Sequence, residues 1–404
     1  MTPQQPPSGG VRRSHPDRHA AVPPWRDRRV QRVGFQVIVV LIVGLIGLLL
    51  WNNLTSAMAR TNLTFGLGFL SQTAGFEISE SLIPFAATNT YGRAIQVGLL
   101  NTLYVSILGI ILSTILGVIV GIARLSRNWL LNKIAAGFVE LMRNTPLLVQ
   151  LFILYFAVLL QLPGIADSIT LPGSVFLNQR GLFLPRPEAT GTFPLWLGFI
   201  LAGILAGLIG WQVSSRREAA GRPTYRAGTV GLVTMLGLPI IGWLVAGGSP
   251  LAFDVPVRGR FNFAGGLSLS PEFLALLVGL VIYTAAFIGE VVRGGIQAVR
   301  RGQIEAAYAV GLSEMQTLRL VIFPQAMRII VPPLTSQYLN LAKNSSLAIA
   351  IGFPDLFNVS STVANQTGQP VSVIVLVMAV YLAMSLFTSL LMNVYNRRVQ
   401  VLER

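Results

Sequence analysis

The apolar positions of this chain fall into long blocks, not into the alternating or one-sided stripes of a soluble fold. Blocks cover residues 35–51, 94–122, 195–213, 228–245, 273–292 and 371–394. Another is opened by Arg143-Asn144-Thr145-Pro146 and reaches residue 162, and one more runs from residue 329 into Asn344. A helix needs about 20 such residues to cross the hydrocarbon of a bilayer, so the pattern predicts an all-α integral membrane protein with about eight transmembrane helices. Gly117 and Gly121 are four apart in the second block, and Gly198, Ala202, Ala206 and Gly210 recur every four residues in the fourth. Both sets read as small-residue faces for close helix packing. The stretches 52–93, 163–193 and 246–271 are polar or rich in Pro and Gly, and read as loops on one side of the membrane. Segment 300–326 lies between the sixth and seventh blocks; its run Glu305 to Pro324 predicts two short helices with a corner at Gly311.

Composition narrows this further. The chain is 53% hydrophobic and 11% charged, with a formal net charge of +15. A charge of that size would fit a nucleic-acid partner, but the cations sit between the apolar blocks, which points to membrane orientation and no nucleic acid. Of the 30 Lys and Arg residues, 23 fall in segments assigned to one side, six to the other (Arg60, Arg93, Arg180, Arg186, Arg258, Arg260), and Lys343 beside a span. The rich side is the cytoplasmic one, so both termini are expected there. Residues 1–33 predict a disordered basic cytoplasmic tail, with Arg12, Arg13, Arg18, Arg26, Arg28, Arg29 and Arg32 facing anionic membrane lipid. Residues 34–404 form the transmembrane domain, with an inserted loop and extra helices over about 163–250. There is no cysteine, and the two histidines, His15 and His19, lie in the tail, so thiolate and intramembrane histidine chemistry are excluded. No G-x-x-x-x-G-K-[ST] phosphate loop occurs; if ATP drives this chain, another subunit binds it.

Glu305-Ala306-Ala307, followed by Gly311 and Val321-Ile322-Phe323-Pro324, resembles the EAA loop of permease subunits of bacterial ATP-binding-cassette importers, with Val321 and Phe323 as departures. The run from Gly98 to Leu131, followed by Glu140 to Gln150, is similar to the opening of polar-amino-acid permeases of the histidine and glutamine group. The extra length resembles the general L-amino-acid permeases. These resemblances imply a type I importer transmembrane domain with a cytoplasmic coupling loop, in the cytoplasmic membrane of a bacterium. The chain would not itself be an enzyme. Glu305, Ala306, Ala307, Gly311 and Pro324 would meet an ATPase that carries the ATP and Mg. The implied partners are ATPase subunits, a second and different homologous permease, a substrate-binding protein and an amino-acid substrate.

Charges inside a bilayer cost roughly 2.5–3.5 kcal/mol each on insertion scales, so they mark candidate sites. Glu290 could meet an α-ammonium, and Lys343, Asn344, Ser345 and Ser346 an α-carboxylate. The resemblance supports this pairing. The alternative for Glu290 is an interfacial pair with Arg293, three residues on. Asn101, Thr102 and Tyr104 are weaker pathway candidates, for which helix–helix hydrogen bonding is the other reading. A secondary carrier or a channel subunit working without an ATPase is the competing function; a carrier predicts two similar halves, which are not seen.

Overall fold

The computed structural model describes residues 28–60, 66–220, 227–260 and 262–399. Most of the expected basic tail lies outside the described residues, including Arg12, Arg13, Arg18, Arg26 and both histidines, as do Arg222, Arg226 and Arg404. Seven helices are long and apolar enough to cross a membrane, and eight spans result if one bent pair counts as a single span. The chain divides at Phe65/Gly66 into two units. The described part of the first is the helix α1 (Arg28–Arg60), which begins inside the segment expected to be disordered. With no proline between residues 28 and 60, nothing stops it at the ends of the apolar block.

In the second unit, α2 (Tyr91–Ala123) starts at Thr90, whose hydroxyl accepts from the Arg93 N–H at 3.3 Å. Next comes α3 (Trp129–Asn144), capped by Asn128, an element not read from the sequence. It buries Ala135 and Val139 and exposes Trp129, Leu130 and Ile134, an interfacial pattern. Pro146 caps the short α4 (Leu147–Phe152), which continues in π and 3₁₀ turns to Gln161, and this span leaves α3 at 105°.

The segment 163–193 is not the plain loop expected. It forms β1 (Ile169–Leu171), β2 (Val175–Asn178), β3 (Gly181–Leu184) and β4 (Arg186–Ala189). The chain then runs through α5 (Phe193–Ala219) and α6 (Ala227–Val245). It returns in β5 (Leu251–Asp254), β6 (Val257–Arg258), β7 (Phe263–Ala264) and β8 (Leu267–Leu269). β4 pairs with β5 and β3 with β8, all antiparallel, while β6 and β7 pair with each other. Phe183, 2% exposed, stacks on Phe263 at 4.6 Å and seals the small sheet. Strands this short, paired across about 80 residues, leave no periodic trace. Because the two segments bond to one another, α5 and α6 must leave and re-enter the membrane on the same side.

α5 and α6 pack on each other only partly on the face read from the sequence. A Cβ on Gly198 would meet nothing within 4 Å, and the contact runs through Gly203, Gly207 and Gly210 against Pro239, Met235, Gly231 and Val230 of α6. Of the four-residue repeat, Gly210 lies in the interface, while Ala202 and Ala206 each stand one residue before a glycine that makes it. By contrast, Gly117 and Gly121 pack as read. A Cβ on Gly117 would sit 2.6 Å from Ile288, and one on Gly121 would sit 2.8 Å from the Gly289 carbonyl oxygen of α7 (Pro271–Gln297). Between α2 and α7, where lipid supplies no hydrophobic force, close backbone approach and van der Waals contact hold the pair.

After α7 come α8 (Arg301–Ala309), α9 (Glu314–Thr317) and α10 (Phe323–Asn344). Pro324 does not end a helix, as was expected. A π turn over Leu318–Ile322 joins α9 to α10, so the chain is helical from Glu314 well into the membrane. Local π bonding is how a helix takes in a residue that has no N–H to give. The polar connection expected through Gln369 contains 3₁₀ turns over Ser345–Ile351 and a helix, α11 (Leu356–Thr367), which buries Leu356, Val359 and Val363. The last span is α12 (Pro370–Val399).

Candidate functional site

The loop at 300–317 is built as a hinge. Gly311 has φ +82°, a conformation that costs other residues about 1–2 kcal/mol, and it lets Leu312 N–H return to the Ala307 carbonyl at 3.1 Å. Ser313 and Gln316 then cap α9 reciprocally. Ala307 is buried, whereas Glu305 and Ala306 are exposed, and Glu305 makes no ion pair or hydrogen bond among the described residues. Around it Tyr308, Val310 and Met315 are turned to solvent, with Val310 76% and Met315 70% exposed. An apolar patch rimmed by a free carboxylate on a hinged corner is the form of a protein-docking surface.

Two polar cavities lie along one face of α7, where Tyr283, Phe287 and Glu290 follow at helical spacing. The one nearer the middle of the span encloses ≈ 240 Å³ among Tyr283, Thr284 and Phe287 of α7 and Gln337, Asn340 and Asn344 of α10. The other, toward the end of α7 that leads into the Gly311 corner, encloses ≈ 340 Å³ and is edged by Arg124, Glu140, Arg143, Asn144, Phe287 and Glu290. Glu290 is held by Arg124 from α2 and by Arg293, whose Nε donates at 3.1 Å; Arg293 also donates to Gln297 at 2.6 Å. The pairing alternative for Glu290 is therefore the one seen: its carboxylate ties α2 to α7 and is already neutralised.

The expected carboxylate-binding run is split by the helix that carries it. Asn344 joins the mid-span cavity, whereas Lys343 and Ser346 border a separate groove of ≈ 490 Å³ with Tyr381 and Ser385 of α12. Ser345 is buried and donates to the Ala342 carbonyl at 2.9 Å. Lys343 lies level with the middle of α2, since Leu341 packs on Gly109 and Tyr338 meets Thr114 at 3.0 Å. Its ammonium has no ion pair or hydrogen bond among the described residues. Asn101 and Thr102 are taken up structurally. Asn101 Nδ2 donates to the Glu80 and Pro354 carbonyls at 2.8 and 2.9 Å, and Thr102 Oγ1 accepts from Leu356 N–H at 2.9 Å. Tyr104 stacks on Phe273 at 5.3 Å. Gln337 and Asn340 were passed over, although with Asn344 they follow at a spacing of three and four, a polar stripe on an apolar helix that was readable as such.

Residues 109–401 match the family described as binding-protein-dependent transport system inner membrane component. The chain is 45% identical over 381 residues, covering 94% of each chain, to the general L-amino acid transport system permease protein AapQ of Rhizobium johnstonii. It is 46% identical over 376 residues, 92% of this chain and 94% of that one, to the putative amino-acid ABC transporter permease protein YhdX of Escherichia coli. Over 411 residues, 94% of this chain and 96% of the relative, it is 40% identical to the glutamate/glutamine/aspartate/asparagine transport system permease protein BztB of Rhodobacter capsulatus. A hinged, partner-ready corner between membrane spans, and a match over most of the chain, lead to one conclusion: this chain belongs to the family of binding-protein-dependent transport system inner membrane components.

Proposed function

We propose that this chain is a permease subunit of an ATP-driven amino-acid importer with a type I transmembrane domain, and that it carries no ATP itself. The observation that carries the reading is the corner at Gly311, which offers Glu305, Tyr308, Val310 and Met315 to a partner in a chain without a phosphate loop. An ATPase dimer holding ATP and Mg would seat this corner, and its closure would move α9 and α10 as one rod, because the π turn leaves no break between them. A second, homologous but different permease would complete the pathway, and a substrate-binding protein would dock on the strand-bearing side. Both termini would lie in the cytoplasm of a bacterial cell.

The amino acid would pass along the α7–α10 face. The neutral donors and acceptors of Thr284, Gln337, Asn340 and Asn344 can hydrogen-bond both charged ends of a zwitterion. Lys343 and Ser346 border the separate groove against α12, so an α-carboxylate would meet them only off the α7–α10 face; an unpaired cation at that depth is costly unless an anion answers it. Glu290 serves as the tie between α2 and α7.

Reconstitution tests this. The chain, co-purified with its ATPase and second permease, should take up labelled amino acid into liposomes only with ATP. Glu305→Lys should assemble yet hydrolyse ATP without uptake. Uptake by the chain alone would instead establish a carrier.

A further inference from the structure

The charges around the cavity at the coupling-loop end of α7 are of two kinds. Glu290 is committed to Arg124 and Arg293. Glu140 and Arg143, one turn apart on α3, are exposed to the cavity and make no ion pair or hydrogen bond among the described residues. Arg143 lies over the Phe287 ring, 5.3 Å from its centroid, and its charge also reaches Glu290, though no hydrogen bond or ion pair within 4 Å ties its N–H groups among the described residues. Residues three apart on a helix have Cβ atoms about 5–6 Å apart. A cation and an anion so placed present donors to a carboxylate and an acceptor to an ammonium on the same small molecule. The space of ≈ 340 Å³ holds a free amino acid. Phe287 lines this cavity and the mid-span one alike, so the two meet at this residue.

We propose that this cavity is a second amino-acid site, on the coupling-loop side of Phe287, in which Arg143 takes the α-carboxylate and Glu140 the α-ammonium. It rests on the reading of the α7–α10 face as the way through. Filled from the cytoplasmic side, the site keeps the next molecule from leaving the mid-span cavity past Phe287. Uptake then slows as amino acid accumulates inside, with no regulatory domain needed.

The test uses the whole reconstituted complex in liposomes that contain ATP and increasing L-glutamate or L-glutamine, with labelled amino acid and binding protein outside. In the wild type the initial rate should fall as the internal amino acid rises. Arg143→Gln and Glu140→Gln each remove a charge-assisted bond, so each should raise the internal concentration for half-inhibition by about tenfold or more. Arg143→Lys should recover part of the effect. The external concentration for half-maximal uptake should move far less than the internal one. Both side chains are solvent-facing, so the variants should still co-purify with the ATPase. Wild-type uptake indifferent to internal amino acid would overturn the site, as would variants inhibited like the wild type. Internal and external constants shifting by the same factor would also overturn it, by making Arg143 a general pathway residue. A wild type without ATP-driven uptake would bring down the proposed function and this site with it.

Discussion

Gly117 and Glu80 show how differently single positions announce themselves. Gly117 was legible because a small residue four from another in an apolar block has few uses besides letting a second helix come close. Its substitution by Ala should be costly, since the new Cβ would lie 2.6 Å from the Ile288 Cβ and only 3.1 Å from a backbone oxygen. Overpacking of this kind costs about 1–3 kcal/mol. Gly137→Ala in α3, where nothing lies within 4 Å, should be neutral or stabilising by up to about 1 kcal/mol. Thermal unfolding in detergent compares the two, and equal shifts would contradict the packing. Glu80 carried no signal, being one carboxylate in a polar stretch; it is the fold that half-buries it beside α7. Burial holds its carboxyl above the usual carboxylate range; the hydrogen bond from Ser270 at 2.6 Å opposes this, and neighbouring Glu272 adds to it. For an acid raised on folding, the native state binds more protons between the unfolded and folded values. The ionised form therefore costs stability above the folded value, and the cost is relieved as pH falls through it. Glu80→Gln should stabilise the protein at neutral pH, with the advantage shrinking as pH drops; an advantage that grew on acidification would refute the burial effect.

At the level of elements, long apolar helices were readable and their breaks were not. Proline was taken as a stop at Pro324, yet a π turn just before it carries α9 into α10, a rearrangement of bonding that leaves no mark in hydrophobic pattern. The helix α3 went unread because it is too short and too mixed to stand out as an apolar block, although Ala135 and Val139 already stand four apart on what proves the buried face. The corner at Gly311, by contrast, was legible, since a glycine between two helix-forming runs favours a left-handed residue. Gly311→Val places a β-branched side chain at φ +82° and should destabilise the corner by at least about 1–2 kcal/mol. The expected outcome is a chain that inserts and folds but couples poorly, read as ATP hydrolysis persisting while uptake falls. Unchanged uptake per ATP would mean that the corner's angle does not transmit motion.

For the whole molecule, the eight crossings read from the sequence stand against seven long apolar helices and one bent pair, and the architecture built on them was not foreseen. The eight-span scheme survives only if the span bent at 105° from α3 counts as one crossing, and the eight strands were invisible. The strand pairing nevertheless decides something that helix counting cannot. β3 and β8 are bonded neighbours, Leu182 opposite Leu269 and Leu184 opposite Leu267, so the chain departs for its detour and comes home within one strand spacing, about 4.8 Å. A detour with touching ends is detachable. Removing residues 185–266 and joining the stubs with a tight Asn-Gly turn should leave β3 and β8 as a hairpin in the four-stranded sheet β1-β2-β3-β8, and a shorter protein that still inserts and still pulls down its ATPase. That surgery would turn an elongated transporter into a minimal one, and so reveal what the extra pair of membrane rods was recruited to do.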